Sequence, residues 1–241
     1  EMCIRDRAGT LTASGVISGS GVVVQSGAGT TTLTGTNTYT GSTNITAGTL
    51  IVGNGTAGSL ASTGTVNVSS GAILLLNQAT GSTFGNAVNS TGTVNFTQAG
   101  TLIVSGVISG SGVVVQSGAG TTSLTVANNY TGMTNITAGI LALVGSGTLG
   151  AGVTTVGSSG TLQIGNGTAN GTVPTLSCIT LNGTLAFDQA TGNTTTISQA
   201  ITGNGSVVQM GTGSTVVFAN STNAYNGTTN ITAGTLALAG G

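Results

Sequence analysis

Ser14–Gly29 reads SGVISGSGVVVQSGAG, and Ser105–Gly120 repeats it unchanged at an offset of 105 − 14 = 91. A looser third copy, SQAITGNGSVVQMGTG, begins at Ser198, offset 93. Each copy runs into a related segment: NTYTGSTNITAGTL from Asn37, NNYTGMTNITAGIL from Asn128 and NAYNGTTNITAGTL from Asn223. Self-similarity of this kind marks a repeat architecture, and it governs how every other feature is read.

A shorter period lies inside the long one. Each AGTL-like tetrapeptide has a glycine that serves as an anchor: Gly9, Gly29, Gly48, Gly71, Gly100, Gly120, Gly139, Gly160, Gly183, Gly213 and Gly234. The steps are 20, 19, 23, 29, 20, 19, 21, 23, 30 and 21 residues, so a long spacer recurs once per superrepeat. A step of about 20–25 residues is one turn of a solenoid. Two residues past the anchors the side chain is apolar, mostly leucine, with Thr31, Thr122 and Thr215 as the exceptions, and four past them stand residues such as Val52, Leu75, Val104, Leu143, Ile164 and Phe187. Apolar residues at every second position indicate a strand with one buried face. A second apolar strand precedes the anchor, as in Asn44-Ile45-Thr46. Each rung therefore reads strand, glycine turn, strand, polar loop, with the positions at plus two and plus four facing inward.

One such rung cannot bury its own apolar side chains. Coiling the chain lays each rung ~4.8 Å from the next and lines equivalent side chains into interior ladders. The fold expected is all-β: a single-stranded parallel β-helix of about eleven rungs over residues 8–241, with superrepeats starting near 14, 105 and 198. Only 2% of residues are charged, which suits a stacked surface, since a charge at a repeated position would face its own copy across the ladder.

Glu1, Arg5, Asp6 and Arg7 crowd the first seven residues, and only Asp188 follows. Residues 1–7 are accordingly expected to be foreign to the fold. The repeat is entered and left partway through a rung, so the stretch is expected to be a fragment of a longer chain. No Lys or Arg occurs after Arg7, which argues against nucleic acid as a partner. Apolar runs such as Ala72 to Leu76 are too short to span a bilayer. Cys3 and Cys178 imply no disulfide framework.

The residues Tyr39-Thr40-Gly41 with Ile45-Thr46-Ala47-Gly48-Thr49-Leu50 resemble the autotransporter-associated β-strand repeat. The pattern returns at Tyr130-Thr131-Gly132 with Ile136-Thr137-Ala138-Gly139, and at Tyr225-Asn226-Gly227 with Ile231-Thr232-Ala233-Gly234-Thr235-Leu236. Ser42, Met133 and Thr228 replace a glycine of the family pattern. The resemblance implies a right-handed β-helix, exported to the surface of a Gram-negative bacterium as the passenger region of a type V autotransporter. It also implies an outer-membrane barrel C-terminal to the passenger in the parent protein.

Candidates for chemistry are few. The body offers Asp188, Cys178 and the tyrosines Tyr39, Tyr130 and Tyr225, with no His or Lys to complete a triad and no pair of carboxylates for glycoside cleavage. Asp188 reads as a turn residue, Cys178 as a small residue ahead of a strand, and the tyrosines as structural, since four rungs separate successive copies. The expected site inventory is empty: no catalytic residue, no cofactor, no metal, no small-molecule substrate. Asn-x-Ser/Thr sequons such as Asn44-Ile45-Thr46 and Asn95-Phe96-Thr97 are attributed to chance in a chain so rich in Asn, Thr and Ser. The expected function is a surface-exposed stalk or scaffold that supports adhesion or self-association. The alternatives are a threonine-rich ice- or glycan-binding solenoid and a non-catalytic piece of a carbohydrate-active β-helix protein.

Overall fold

Parallel strands succeed one another along the whole of this computed structural model, which describes residues 2–4, 9–173 and 178–239. The described residues contain no helix, and the strand pairings among them are parallel. Each turn passes three sides, and the strands of successive turns form a hydrogen-bonded ladder on each. The second ladder is unbroken. It runs through Thr10–Ala13, Thr30–Leu33, Thr49–Val52, Ile73–Leu76, Thr93–Phe96 and Val113–Gln116. It continues through the first halves of Thr134–Leu143 and Thr154–Ile164, then Ile179–Leu181, Ile201–Gly203 and Ala224–Tyr225. These eleven strands are the eleven turns of a β-solenoid.

The first ladder joins Val23–Gln25, Thr43–Ile45, Val66–Val68, Val88–Ser90 and Ile108–Ser109. The third joins Ser82–Phe84, Thr101–Val104, Thr121–Leu124, residues 140–143 and 161–164, Thr184–Phe187, Ser206–Gln209 and Thr229–Ile231. Late in the chain, Thr194–Ile197, Thr215–Phe218 and Thr235–Leu238 pair on the side that the first ladder held. The sequence pattern anticipates two strands per rung; the third side, taken for polar loop, carries strands over much of the length. Met2–Ile4, within the charged head expected to stand outside the fold, runs parallel to Val23–Gln25. The first ladder would otherwise present an unpaired edge there, and any extended segment can fill one.

The interior is a single apolar core running the length of the solenoid, from Val23 and Leu33 through Leu102 and Leu141 to Val216 and Phe218. The inward positions expected past the anchors are buried at Leu50, Val52, Leu102, Val104, Leu141, Leu143, Leu162, Ile164, Leu185 and Phe187. Leu11 and Leu238 are exposed because they lie on the outermost described turns and are covered from one side only. Two anchors are out by one residue. After Gly71 it is Leu74 and Leu76 that are buried, and after Gly213 it is Val216 and Phe218. The pairings of Thr49 with Ile73 and of Thr215 with Thr235 place Ala72 and Ser214, not the glycines, in the ladder position of Gly48 and Gly234. Gly71, with φ of +79° and open space around it, is simply the preceding turn residue.

The long spacer has a structural meaning. An ordinary step between anchors is one turn. From Gly71 to Gly100 the chain makes Ser82–Phe84, Val88–Ser90 and Thr93–Phe96 before it reaches Thr101–Val104, which is one turn plus one side. The spacer from Gly183 to Gly213 does the same. Identical sequence therefore sits on different sides in successive superrepeats. Val23–Gln25 lies on the first ladder, its copy Val114–Gln116 on the second, and Val207–Gln209 on the third. The first ladder takes four steps from Val23 to Ile108, so the period of 91 residues is four turns and one side.

Candidate functional site

The alternation that buries Val23 also turns the next-but-one residue, Gln25, inward, where it is fully buried. A buried amide must find partners, and the glycine turn supplies them. Gln25 Nε2 donates to the Gly27 carbonyl at 3.0 Å, and Thr31 Oγ1 donates to Gln25 Oε1 at 2.6 Å. The second superrepeat rebuilds this corner one side further round. Gln116 Nε2 donates to Gly118 O at 2.9 Å, and Thr122 Oγ1 donates to Gln116 Oε1 at 2.6 Å. Thr122 also accepts from Gln98 Nε2 of the preceding turn at 2.6 Å. In the third copy Ser214 replaces the threonine, and Gln209 Nε2 donates to its hydroxyl at 2.9 Å. Two of the three threonines that interrupt the apolar pattern, Thr31 and Thr122, are thus the partners of a buried glutamine, while Thr215 faces outward.

The tyrosines belong to the same kind of internal bracing. Tyr39 and Tyr130 are buried, and each hydroxyl bonds the threonine four residues on, Thr43 at 2.5 Å and Thr134 at 2.6 Å. Burial pushes both phenols above their usual range, and the threonine bonds oppose that in part. Tyr225 bonds Thr229 in the same way but is half-buried. Tyr39 lies on the third side, between Thr30–Leu33 and Thr43–Ile45; Tyr130 lies on the first, ahead of residue 134; Tyr225 is in the second ladder. The structure does not bring the three together.

Asparagines hold the corners. Asn37 Oδ1 accepts from Ile17 N at 2.9 Å while Nδ2 donates to Ser59 O at 2.9 Å, tying three turns. Asn128 does the same between Ile108 N and Thr148 O, each at 2.8 Å. The threonines of several sequons in or beside strands have a structural use. Thr46, Thr97, Thr137 and Thr232 each donate a hydroxyl to a carbonyl of the preceding turn, at 3.2 Å in every case. The pattern Asn-apolar-Thr is thus outward residue, inward residue and carbonyl cap.

Asp188 follows Thr184–Phe187, half-buried, its N–H donating to Ile164 O at 2.8 Å and its carbonyl accepting from Gly167. Cys178 is a free, half-buried thiol just ahead of Ile179–Leu181. Among the described residues no three of His, Cys, Asp and Glu gather into a group that could hold a metal, and no helix is long and apolar enough to cross a membrane. Outward residues on the second ladder change from turn to turn: Thr30 and Thr32, Thr49 and Ile51, Ile73 and Leu75, Thr93 and Asn95, Val113 and Val115. On the third ladder Thr101, Thr121, Ile140, Thr161 and Thr184 make a single file of hydroxyls with one interruption. An ice-type array needs two such files side by side; the neighbouring file holds Ile103, Ser123, Ala142, Gln163 and Ala186.

Fold and sequence together define a β-solenoid built from tandem copies of one repeat. Residues 23–52, 114–143 and 207–238 each match the model of the passenger-associated-transport-repeat family. Each match spans the buried glutamine with its two preceding valines, the NIT strand and the glycine turn. Over 139 residues, 55% of this chain, the sequence is 36% identical to the "Adhesin BmaC autotransporter" of Brucella suis biovar 1 (strain 1330), and it spans 4% of that protein's length. No solved structure matches the chain. The resemblance to autotransporter passenger repeats therefore rests on both the repeat and a relative.

Proposed function

We propose that this chain is a rigid stretch of an autotransporter passenger, exposed at the bacterial cell surface, whose work is to hold distance rather than to turn over a substrate. The observation that carries this reading is the unbroken second ladder of eleven strands, which at ~4.8 Å per turn makes a rod of roughly 50 Å. Many of the polar groups that the chain places inside serve as bracing: the glutamine corners, the tyrosine–threonine bonds and the asparagine ties. In this reading an outer-membrane barrel anchors the parent protein, and adhesion is made by loops and end regions presented on the rod. The adhesin name of the Brucella relative supports it.

The test is replacement within the parent protein. Exchanging this stretch for an unrelated β-solenoid of the same number of turns should leave surface display and adhesion to cells intact. Loss of adhesion with display retained would overturn the spacer reading and assign the stretch a ligand of its own.

A further inference from the structure

We propose that Asn54 and Asn166 are acceptor sites for N-linked sugar. The inference does not depend on the spacer reading. Sequons are common along this chain, so the tripeptide alone selects nothing; the geometry does. An acceptor asparagine has to offer its amide nitrogen to a glycosyl donor from an exposed loop, and a Ser or Thr hydroxyl bonded into the fold is not free to be read with it.

Most sequons fail on one of these counts. Asn44 Oδ1 is taken by Asn67 Nδ2 at 2.8 Å, and the Thr46 hydroxyl is turned to the Gln25 carbonyl. Asn95 accepts from Ser117, and Thr97 is turned to Leu76 O. Asn193 Nδ2 donates to Thr195, and Asn220 Nδ2 donates to Ser198 O. Asn226 Nδ2 is held by Asn204. These side chains are part of the ladders and corners.

The pentapeptide GNGTA occurs twice, at Gly53–Ala57 and 165–169, and forms the same loop both times. Asn54 Oδ1 accepts from Thr56 N at 3.1 Å, Thr56 Oγ1 at 2.9 Å and Ala57 N at 2.9 Å. Asn166 Oδ1 accepts from Thr168 N at 3.2 Å, Thr168 Oγ1 at 2.9 Å and Ala169 N at 2.8 Å. The backbone closes each loop, Asn54 N to Ala57 O at 3.0 Å and Asn166 N to Ala169 O at 3.1 Å. The loops turn on glycines at φ +90° and +88° in the first and +83° and +79° in the second. Both asparagines and both threonines are exposed. With the oxygen held by three donors, the amide plane is fixed and Nδ2 points away from the loop, with no hydrogen-bond partner among the described residues. The loops leave different sides, one after a strand of the second ladder and one after the third.

The chemistry is a substitution at an anomeric carbon. Nδ2 forms a bond to C1 of a sugar carried on a nucleoside diphosphate or a lipid pyrophosphate. The C1–O bond to phosphate breaks, the phosphate leaves with its electron pair, and Nδ2 gives one proton to a base of the transferase. Nothing is oxidised or reduced.

The test uses the folded chain, UDP-glucose and a soluble sequon-reading N-glucosyltransferase, with peptide-mapped mass spectrometry over time. One hexose should appear on Asn54 and one on Asn166, while Asn44, Asn67, Asn95 and Asn135 stay unmodified until the chain is unfolded in urea. Asn54→Gln should abolish only the first modification. Thr56→Ala should also abolish it, with circular dichroism showing the fold unchanged. Absence of hexose on the folded chain, or hexose on the strand asparagines as readily as on the two loops, would overturn the proposal.

Discussion

Replacing Thr122 by valine keeps the shape of a fully buried side chain and deletes one hydroxyl. That hydroxyl donates to Gln116 Oε1 and accepts from Gln98 Nε2, both at 2.6 Å. Gln98 is fully buried and its Oε1 already lacks a partner, so the variant leaves its whole amide without one. Two stranded polar atoms cost about 1–3 kcal/mol each, and the added methyl offsets about 1 kcal/mol. The net loss is about 3 kcal/mol. Thr31 stands in the same sequence, GAGTT, one superrepeat earlier and is equally buried, but its hydroxyl bonds Gln25 alone among the described residues. Thr31→Val should therefore cost only about 1 kcal/mol. The assay is equilibrium urea unfolding followed by circular dichroism. Because a linear array can open from one end, hydrogen exchange at the amides of Leu102, Leu124 and Leu143 is read alongside. Equal losses for the two variants, within about 0.5 kcal/mol, would refute the idea that buried amide partnership, rather than burial alone, sets the strength of each corner.

Leu141→Asp should destabilise by about 4 kcal/mol or more, since it drives an unpaired carboxylate into the core, whereas Thr49→Asp on an outward position should cost about 1 kcal/mol or less; urea midpoints compare the two. Gly139→Ala should cost more than Gly71→Ala, although both glycines have positive φ (+61° and +79°), because a Cβ at 139 meets the carbonyls of Gly118 and Gly120 while one at 71 meets open space; thermal melts rank them. Stability should fall in strong base. Tyr39 and Tyr130 keep their protons more tightly folded than unfolded, so their contribution is complete below the unfolded phenol value of 10.0 and is lost as pH rises through the raised folded values. Urea titrations from pH 9 to pH 12 on the wild type and a Tyr39→Phe/Tyr130→Phe variant check this: the variant should lose less.

The glycine anchors and the alternation around them were enough to place most strands and most of the interior, because a half-buried strand has to show period two. They failed where alternation is uninformative. Ala72-Ile73-Leu74-Leu75-Leu76 is apolar throughout and Thr215-Val216-Val217-Phe218 nearly so, and in both the register is settled by pairing with the neighbouring turn. The glutamine corners were legible in principle. Gln25, Gln116 and Gln209 each fall on the inward phase of their strand, but a polar side chain there makes sense only once the glycine carbonyls are seen beside it. The sides of the solenoid were not legible at all. A spacer of 29 or 30 residues shows that something is added, yet only the ladder partners reveal that the addition is one third of a lap.

That third of a lap decides how a longer run of these repeats would meet its surroundings. A motif facing north in one superrepeat faces another compass point in the next, about 20 Å higher at ~4.8 Å per turn, and comes back to its starting bearing only after three superrepeats. A ligand-covered plane, or a neighbouring rod, would then touch the same motif at every third occurrence, so lengthening the array by duplication adds height without drawing an adhesive stripe down one flank. Rods built this way can stand close together and remain separate, while anything that grips the common motif can approach from any direction.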